Sequence, residues 1–140
     1  MLIDIAQVNT PFHFRATTAG GLSVDMDSST GGDSRGVTPM QMVAMAVGGC
    51  SGIDLVDILT KGRHEVEGLK ISIEAERADQ PPRVFTSIKI HYAVVGDLQE
   101  DAVRRAVRLS LDKYCSVSKM VDSTATITAT FSINGETFDA

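Results

Sequence analysis

A long apolar segment in the first half of the chain is the feature that most constrains its fold. It follows Thr38-Pro39-Met40-Gln41, where a threonine N-cap, a proline at the first helical position and a glutamine three residues after the cap are typical of a helix start. Apolar residues then lie on nearly every side of a helix continued to Lys61-Gly62, which predicts a central helix surrounded by protein. Its most apolar part, residues 42–53, is shorter than the ~20 residues that span a bilayer, so we expect a core helix and no membrane partner.

Five further segments combine alternating apolar and polar residues with flanking turn signals, as half-buried strands do. They are residues 12–17, 22–26, 69–75, 85–95 and 125–133. A capping box at residues 97–100 predicts a second helix, whose buried face would carry Val103, Ala106, Val107, Leu111 and Tyr114. The order ββ-α-ββ-α-β predicts an α+β domain with helices packed on one face of a mostly antiparallel sheet.

Composition limits the classes of function. The 140 residues suffice for one domain, which we expect to span residues 1–140, with a long mobile loop at residues 27–36. The net charge of -5 disfavours nucleic acid as a partner, because that affinity rests on neutralising phosphates. The N-terminus lacks the basic and apolar regions of a signal peptide, so a cytoplasmic location is expected. The three histidines show no ligand spacing, and neither a metal site nor a cofactor is predicted.

The two cysteines, Cys50 and Cys115, are the best candidates for chemistry. Cys50 follows Gly48-Gly49, and each glycine costs a helix interior about 1 kcal/mol relative to alanine. Such a pair permits a close backbone approach, a kink or room for a ligand beside the sulfur. Cys115 lies on the inward face at the end of the second helix, so the two thiols can form a close pair. Both are also compatible with simple core packing, since free cysteine is often buried.

Two sets of motifs resemble the OsmC/Ohr family over nearly the whole chain. The first runs from Thr38-Pro39-Met40-Gln41 through residues 45–50 to Asp54-Leu55-Val56, and the second is Lys113-Tyr114-Cys115-Ser116-Val117-Ser118. Glu76-Arg77, the strand segment at 82–96 and the eleven-residue step from Pro39 to Cys50 are similar to its YhfA-type branch.

That resemblance implies the OsmC-like fold, with mostly antiparallel sheets on two principal helices, in an intertwined homodimer with sites at the subunit interface. It implies thiol-dependent reduction of organic hydroperoxides, in which Cys50 attacks the peroxide and Cys115 resolves the product as a disulfide. An external dithiol would restore the enzyme, and no cofactor is implied.

In the family that the chain resembles, an arginine from the N-terminal hairpin, held by a glutamate near the start of the central helix, activates the attacking thiol. Here residues 17–21 contain no arginine, and Met40 and Gln41 stand where the glutamate is sought. The candidate substitutes are Arg35, Arg77, Arg15 and Gln41. Met42 and Met45 are candidates for a pocket around an apolar substrate tail, although methionine also fills core space. Asp54 would either repel a Cys50 thiolate or pair with an N–H or arginine at a dimer interface.

Two other classes of function stay open. A protein of this fold could bind a small apolar ligand without chemistry, as the departures from the Arg–Glu pattern would allow. A thioesterase-like hydrolase has least support, because it needs a positioned base or nucleophile and no suitable carboxylate or histidine group is evident.

Overall fold

The computed structural model describes residues 1–28 and 32–140 and divides the chain into two compact units, Met1–Val43 and Ala44–Ala140. The middle of the predicted 27–36 loop lies outside the described residues. At the loop's described ends, the Asp27 N–H donates to the Val37 carbonyl (3.0 Å) and the Asp27 carboxylate accepts from the Arg35 N–H (3.0 Å). That the two units form a single domain stays a prediction.

The first unit contains an antiparallel three-stranded sheet in the order β1-β2-β3. Its strands are β1 (Ile3–Asn9), β2 (His13–Thr18) and β3 (Ser23–Met26). The predicted hairpin of residues 12–17 and 22–26 is confirmed as β2 and β3. Its turn requires a left-handed residue, supplied by Gly21 at φ 87°, whose N–H donates to the Thr18 carbonyl at 2.9 Å. Strand β1 was not predicted.

Helix α1 (Pro39–Lys61) begins where the sequence predicts. The capping box is formed in both directions, because the Gln41 N–H donates to Thr38 Oγ1 (3.2 Å) and Gln41 Oε1 accepts from the Thr38 N–H (2.9 Å). After Lys61 the chain turns at Arg63, which has a φ of 63°. Gln41 therefore has a structural role at the helix start.

The second unit contains a four-stranded sheet in the order β4-β5-β6-β7. Its strands are β4 (Gly68–Arg77), β5 (Phe85–Val95), β6 (Thr126–Ile133) and β7 (Glu136–Asp139). All neighbours are antiparallel except β5 and β6, which are parallel and therefore need a crossover connection. The crossover consists of α2 (Glu100–Leu109), a π-helical turn (Ser110–Tyr114) and α3 (Ser116–Val121).

The α+β class is confirmed, but the predicted order ββ-α-ββ-α-β is incomplete. It lacks β1, α3 and β7, the last of which follows a tight turn at Asn134-Gly135 with positive φ at both residues. The predicted inward face of the second helix is also partly wrong: Val103, Ala106 and Val107 are buried, but Tyr114 is exposed. The π-helical turn shifts the phase by one residue after Ser110, so Cys115 is buried while Tyr114 turns outward.

Within the second unit, α1 lies close against β4. A Cβ on Gly52 would overlap Ile71 Cδ1, and one on Gly48 would lie 2.8 Å from Ile73 Cδ1. Leu55 and Leu59, on the same side of the helix, are 1% exposed. The glycine pair before Cys50 is thus explained in part, since Gly48 permits the close approach of the sheet.

The prediction that α1 is surrounded by protein is wrong for the chain alone. Met45 is 55% exposed, Ile53 73% and Val56 38%. By length and composition α1 is also apolar enough to cross a membrane, yet its other side packs on the sheet as a core helix.

Candidate active site

The structure brings Cys50, Asp54 and Cys115 together. Cys50 and Asp54 are one turn apart on α1, and Cys115 lies at the junction between the π-helical turn and α3. The two Sγ atoms and a carboxylate oxygen of Asp54 all lie within 4.8 Å of one another. The two cysteines expected to form a pair are therefore neighbours, while their chemical roles stay predictions.

Cys50 lies on the border between the buried and the exposed side of α1 and is half-buried. Val47 and Ser51 beside it are buried, whereas Gly49 and Ile53 are exposed. A Cβ on Gly49 would meet no atom within 4 Å, so the second glycine of the pair leaves open space next to the thiol. The Cys50 sulfur is thus the one of the two that solvent or a small molecule reaches from outside.

Cys115 is fully buried, with 0% exposure. Its N–H donates to the Ser110 carbonyl at 2.8 Å, the bond that closes the π-helical turn. Its sulfur accepts from the Ser118 hydroxyl (3.0 Å) and the Ser118 N–H (3.4 Å). Burial raises the pKa of the Cys115 thiol, the two Ser118 hydrogen bonds oppose that shift in part, and the neighbouring Cys50 raises the pKa further. Cys115 therefore rests as a protonated thiol at neutral pH.

Asp54 is held by a hydroxyl. The Ser110 Oγ donates to Asp54 Oδ2 at 2.9 Å and lies 3.4 Å from the Ser51 carbonyl. No ion pair in residues 1–28 and 32–140 includes Asp54. Within the described residues the partner of Asp54 is thus a neutral donor, and an N–H or arginine partner at a dimer interface stays a prediction. Ser110 follows Val107 by three residues and Val103 by seven, so its spacing already places it on the inward face of the helix.

A buried hydrogen-bonded chain leads from this region into the sheet. The Tyr92 hydroxyl of β5 donates to Ser51 Oγ (2.8 Å), and Ser51 Oγ donates to the Val47 carbonyl (2.8 Å). Burial raises the pKa of Tyr92 to about 12, with smaller contributions in the same direction from Cys115 and Asp54 and an opposing one from Ser51. Ser51 had a sequence signal, since it interrupts the apolar run of α1, but Tyr92 had none.

The candidate arginines of the first unit have other partners there. Arg15 forms a two-point ion pair with Asp25, from Nε to Oδ1 at 2.7 Å and from Nη2 to Oδ2 at 3.1 Å. This arginine lowers the pKa of Asp25 to about 2. Arg35 is exposed, and its N–H is bound to Asp27. Their roles toward Cys50 stay predictions.

The remaining predicted residues are dispersed. Arg77, at the end of β4, donates from Nε to the Arg83 carbonyl at 2.8 Å. Gln41 is engaged in the helix cap, as described above. Met42 is half-buried within the first unit, and Met45 is exposed, so core packing does not account for Met45. A substrate pocket at the two methionines stays a prediction.

Comparison with known proteins places this arrangement in a family. A family model described as OsmC-like protein matches residues 31–130, which include Cys50, Asp54 and Cys115. The chain belongs to the OsmC-like family. Protein YhfA of Escherichia coli (strain K12) is 43% identical over 121 residues, which cover 86% of this chain and 89% of that protein.

Solved structures share the OsmC-like fold. The crystal structure of a hypothetical protein from Aquifex aeolicus VF5 matches with a TM-score of 0.84 and 29% identity over 95% of each chain. An organic hydroperoxide resistance protein OsmC from Legionella pneumophila matches with a TM-score of 0.70 and 16% identity, over 94% of this chain and 95% of that one. The fold class expected from the sequence is thus confirmed.

Proposed function

We propose that this OsmC-like protein is a thiol-dependent reductase of organic hydroperoxides, acting in defence against oxidative stress. The observation that supports the proposal is the approach of the Cys50 and Cys115 sulfurs to within 4.8 Å. The difference in burial supports the division of labour, because an attacking thiol needs access and a resolving thiol needs only its partner. Membership of a family that includes the Legionella protein adds the substrate class.

The chemistry balances in three steps. The Cys50 thiolate attacks the hydroperoxide; an S–O bond forms, the O–O bond breaks, and the departing alkoxide takes a proton to become an alcohol. Cys115 then attacks the sulfenic acid of Cys50; an S–S bond forms, the S–O bond breaks, and water leaves with the Cys115 proton. An external dithiol reduces the disulfide by exchange and is itself oxidised. The attacking form of Cys115 is its thiolate, so burial, which raises the pKa of this thiol, requires that the proton pass to the departing oxygen as the S–S bond forms.

Activation of Cys50 is part of the same proposal. We assign it to Arg35, with Arg77, Arg15 and Gln41 as the alternatives, and place an apolar substrate tail near Met42 and Met45. Alanine variants at the four positions would rank the candidates by their loss of rate. We further place the protein in the cytoplasm, where a reducing environment keeps both thiols available.

A homodimer belongs to this proposal as well. The exposed side of α1 leaves Met45, Ile53 and Val56 without cover in a single chain. In the first unit, Ile5 and Val24 flank Ala16 on one face of the sheet and are likewise exposed. Apolar surfaces of this kind mark association sites in soluble proteins. A second copy of the chain is the occupant that the family resemblance implies.

Light scattering coupled to gel filtration tests the dimer. The native chain is expected to have the mass of two chains, and Ile53→Glu the mass of one, because a charge cannot be buried unpaired in an apolar seam. Val84→Glu, an apolar-to-charged change at an exposed loop residue, is the matched control. A native mass of one chain would contradict the dimer.

The enzymatic proposal is tested by cumene hydroperoxide consumption with a dithiol reductant. The native chain should turn over, and Cys50→Ser should fall to the rate without protein. Cys115→Ser should accumulate a Cys50 sulfenic acid that a diketone trap detects by mass spectrometry. Equal rates for the native chain and Cys50→Ser would exclude the peroxidase proposed here and favour the binding of a small apolar ligand as the alternative.

A further inference from the structure

The proposed peroxidase chemistry uses only two of the three side chains that meet at the site. Asp54 takes no part in the thiol steps, yet its carboxylate lies among the two sulfurs. We propose that the reduced protein binds one thiophilic divalent cation, of the class of Zn²⁺, through the Cys50 and Cys115 sulfurs and an oxygen of Asp54. The site would accept the ion only while both cysteines are reduced.

The distances fit such an ion. Zinc binds thiolate sulfur at ~2.3 Å and carboxylate oxygen at ~2.0–2.2 Å, so a tetrahedral ion holds these donors roughly 3.5–3.8 Å apart. The three donor atoms lie within 4.8 Å of one another, and closing around the ion requires each to move by roughly half an ångström. Cys50 and Asp54, four residues apart on a helix, project to the same side.

Two of the donors are already oriented. The Ser110 hydroxyl holds the Asp54 carboxylate at 2.9 Å, as outer hydrogen bonds do for metal-binding carboxylates. Cys115 is fixed by backbone hydrogen bonds on both sides, from its N–H to Ser110 and from the Lys119 N–H to its carbonyl. Cys50 and Asp54 are half-buried, which leaves a route for the ion and an open fourth position.

The charge of the cluster also favours a cation. Asp54 has only a neutral donor in the part of the chain that the structure describes, and no arginine or lysine forms an ion pair with it there. Both cysteines would bind the ion as thiolates, and any proton that they carry would be released to solvent. Two thiolates and a carboxylate would then surround a dication, which leaves the loaded cluster with one net negative charge.

The proposed metal site depends on the placement of the two thiols and does not require that the protein reduce peroxides. Its consequence for activity does rest on the proposed function: the bound ion would occupy the sulfurs that peroxide and disulfide formation need. Stoichiometric Zn²⁺ should therefore suppress hydroperoxide consumption, and a chelator should restore it. Oxidation to the disulfide should release the ion, because both thiolates are lost.

The direct test is anaerobic titration of the reduced full-length protein with Co²⁺. We expect a thiolate-to-cobalt charge-transfer absorption that saturates at one ion per chain and disappears on addition of Zn²⁺. Its absence from the native chain would overturn the proposal, as would an ion retained by the disulfide form. Cys50→Ser and Cys115→Ser should each weaken the absorption, and an unchanged spectrum in both would show that the ion binds elsewhere.

Asp54→Asn and Asp57→Asn form the matched pair of variants. Asp57 lies on the same helix but is exposed and paired with Lys61 at 2.6 Å. Asp54→Asn should weaken the metal affinity at least ~10-fold, while Asp57→Asn should leave it unchanged. Equal affinities would remove Asp54 from the ligand set. Metal binding without peroxidase activity would defeat the proposed function alone, and activity without metal binding would defeat this inference alone.

Discussion

The two sides of α1 within the second unit are both apolar, yet they have opposite environments. The side toward β4 buries Val47, Gly48, Ser51, Gly52, Leu55 and Leu59. The other side exposes Met45, Gly49, Ile53 and Val56. Cys50 and Asp54 lie on the border between them and are half-buried. The difference shows that apolar composition alone does not decide which neighbour covers a helix, and that two residues of the candidate site lie where the chain's own core ends.

The largest expected effect on the free energy of unfolding comes from truncating one apolar residue on each side of α1. Leu55→Ala should lower the free energy of unfolding by about 2–5 kcal/mol, because it opens a cavity in a well-packed core. Ile53→Ala should cost under ~0.5 kcal/mol in dilute protein, where the side chain is exposed. Urea unfolding at several protein concentrations measures both.

Measurements at several protein concentrations test whether the exposed side of α1 is a dimer interface. If the exposed side is a dimer seam, the loss caused by Ile53→Ala grows as protein concentration rises, whereas the loss caused by Leu55→Ala does not. Equal losses at every concentration would contradict the difference between the two sides.

The sequence predicts the elements whose signals are local. The Thr38–Gln41 cap and the alternation in β4 to β6 depend on neighbouring residues, so these elements were found. Strand β1, with seven residues, and strand β7, with four, are edge strands, and the sequence did not predict them. The closeness of the two cysteines was open in the sequence, because it depends on how α1 and the crossover pack.

The exposure of Tyr114 could not be predicted from periodicity. A regular helix continued from Val103 and Val107 turns Ser110, Leu111 and Tyr114 inward. The i→i+5 geometry of the π-helical turn inserts an extra residue after Ser110, so Ser110 keeps its inward position while Tyr114 is exposed and Cys115 is buried. The serine that binds Asp54 therefore has a signal in its spacing, whereas the irregularity that turns Tyr114 outward has none.

A second prediction concerns the Tyr92 hydroxyl, which donates to Ser51 on the buried side of α1. The raised Tyr92 pKa means that the folded chain keeps this proton after the unfolded chain has lost it. The resulting stability is complete below pH ~10 and is lost as the pH rises to about 12, a change of roughly 2–3 kcal/mol. Tyr92→Phe should remove this part of the alkaline loss, while costing about 1 kcal/mol at neutral pH.

Urea unfolding between neutral and alkaline pH measures the difference between variant and native chain. Tyr114→Phe, at an exposed ring, is the control for the loss of a hydroxyl. Parallel curves for the native chain and Tyr92→Phe would show that the Tyr92 proton is not held by the fold.

A third, smaller effect tests the contact of α1 with β4. Gly52→Ala places a methyl group against Ile71 Cδ1, and overpacking of this kind costs about 1–3 kcal/mol, offset by ~1 kcal/mol of helix propensity. Ile71→Val removes the Cδ1 atom, so the double variant should recover part of the loss. A double-mutant cycle by thermal unfolding should give a favourable coupling of about 0.5–1 kcal/mol. Strict additivity would mean that the two residues do not touch.

The smallest effect gives the sharpest comparison, because it uses one substitution at two adjacent residues. Gly49→Ala should stabilise dilute protein by about 0.5–1 kcal/mol, since alanine favours the helix and its methyl group meets no atom within 4 Å. Gly48→Ala gains the same propensity but places its methyl group 2.8 Å from Ile73 Cδ1, so the net change should be unfavourable. Opposite signs of the shift in Tm would establish that the border of the core runs between these two glycines. A loss at Gly49 that appears only at high protein concentration would place a partner's surface against it, beside Cys50.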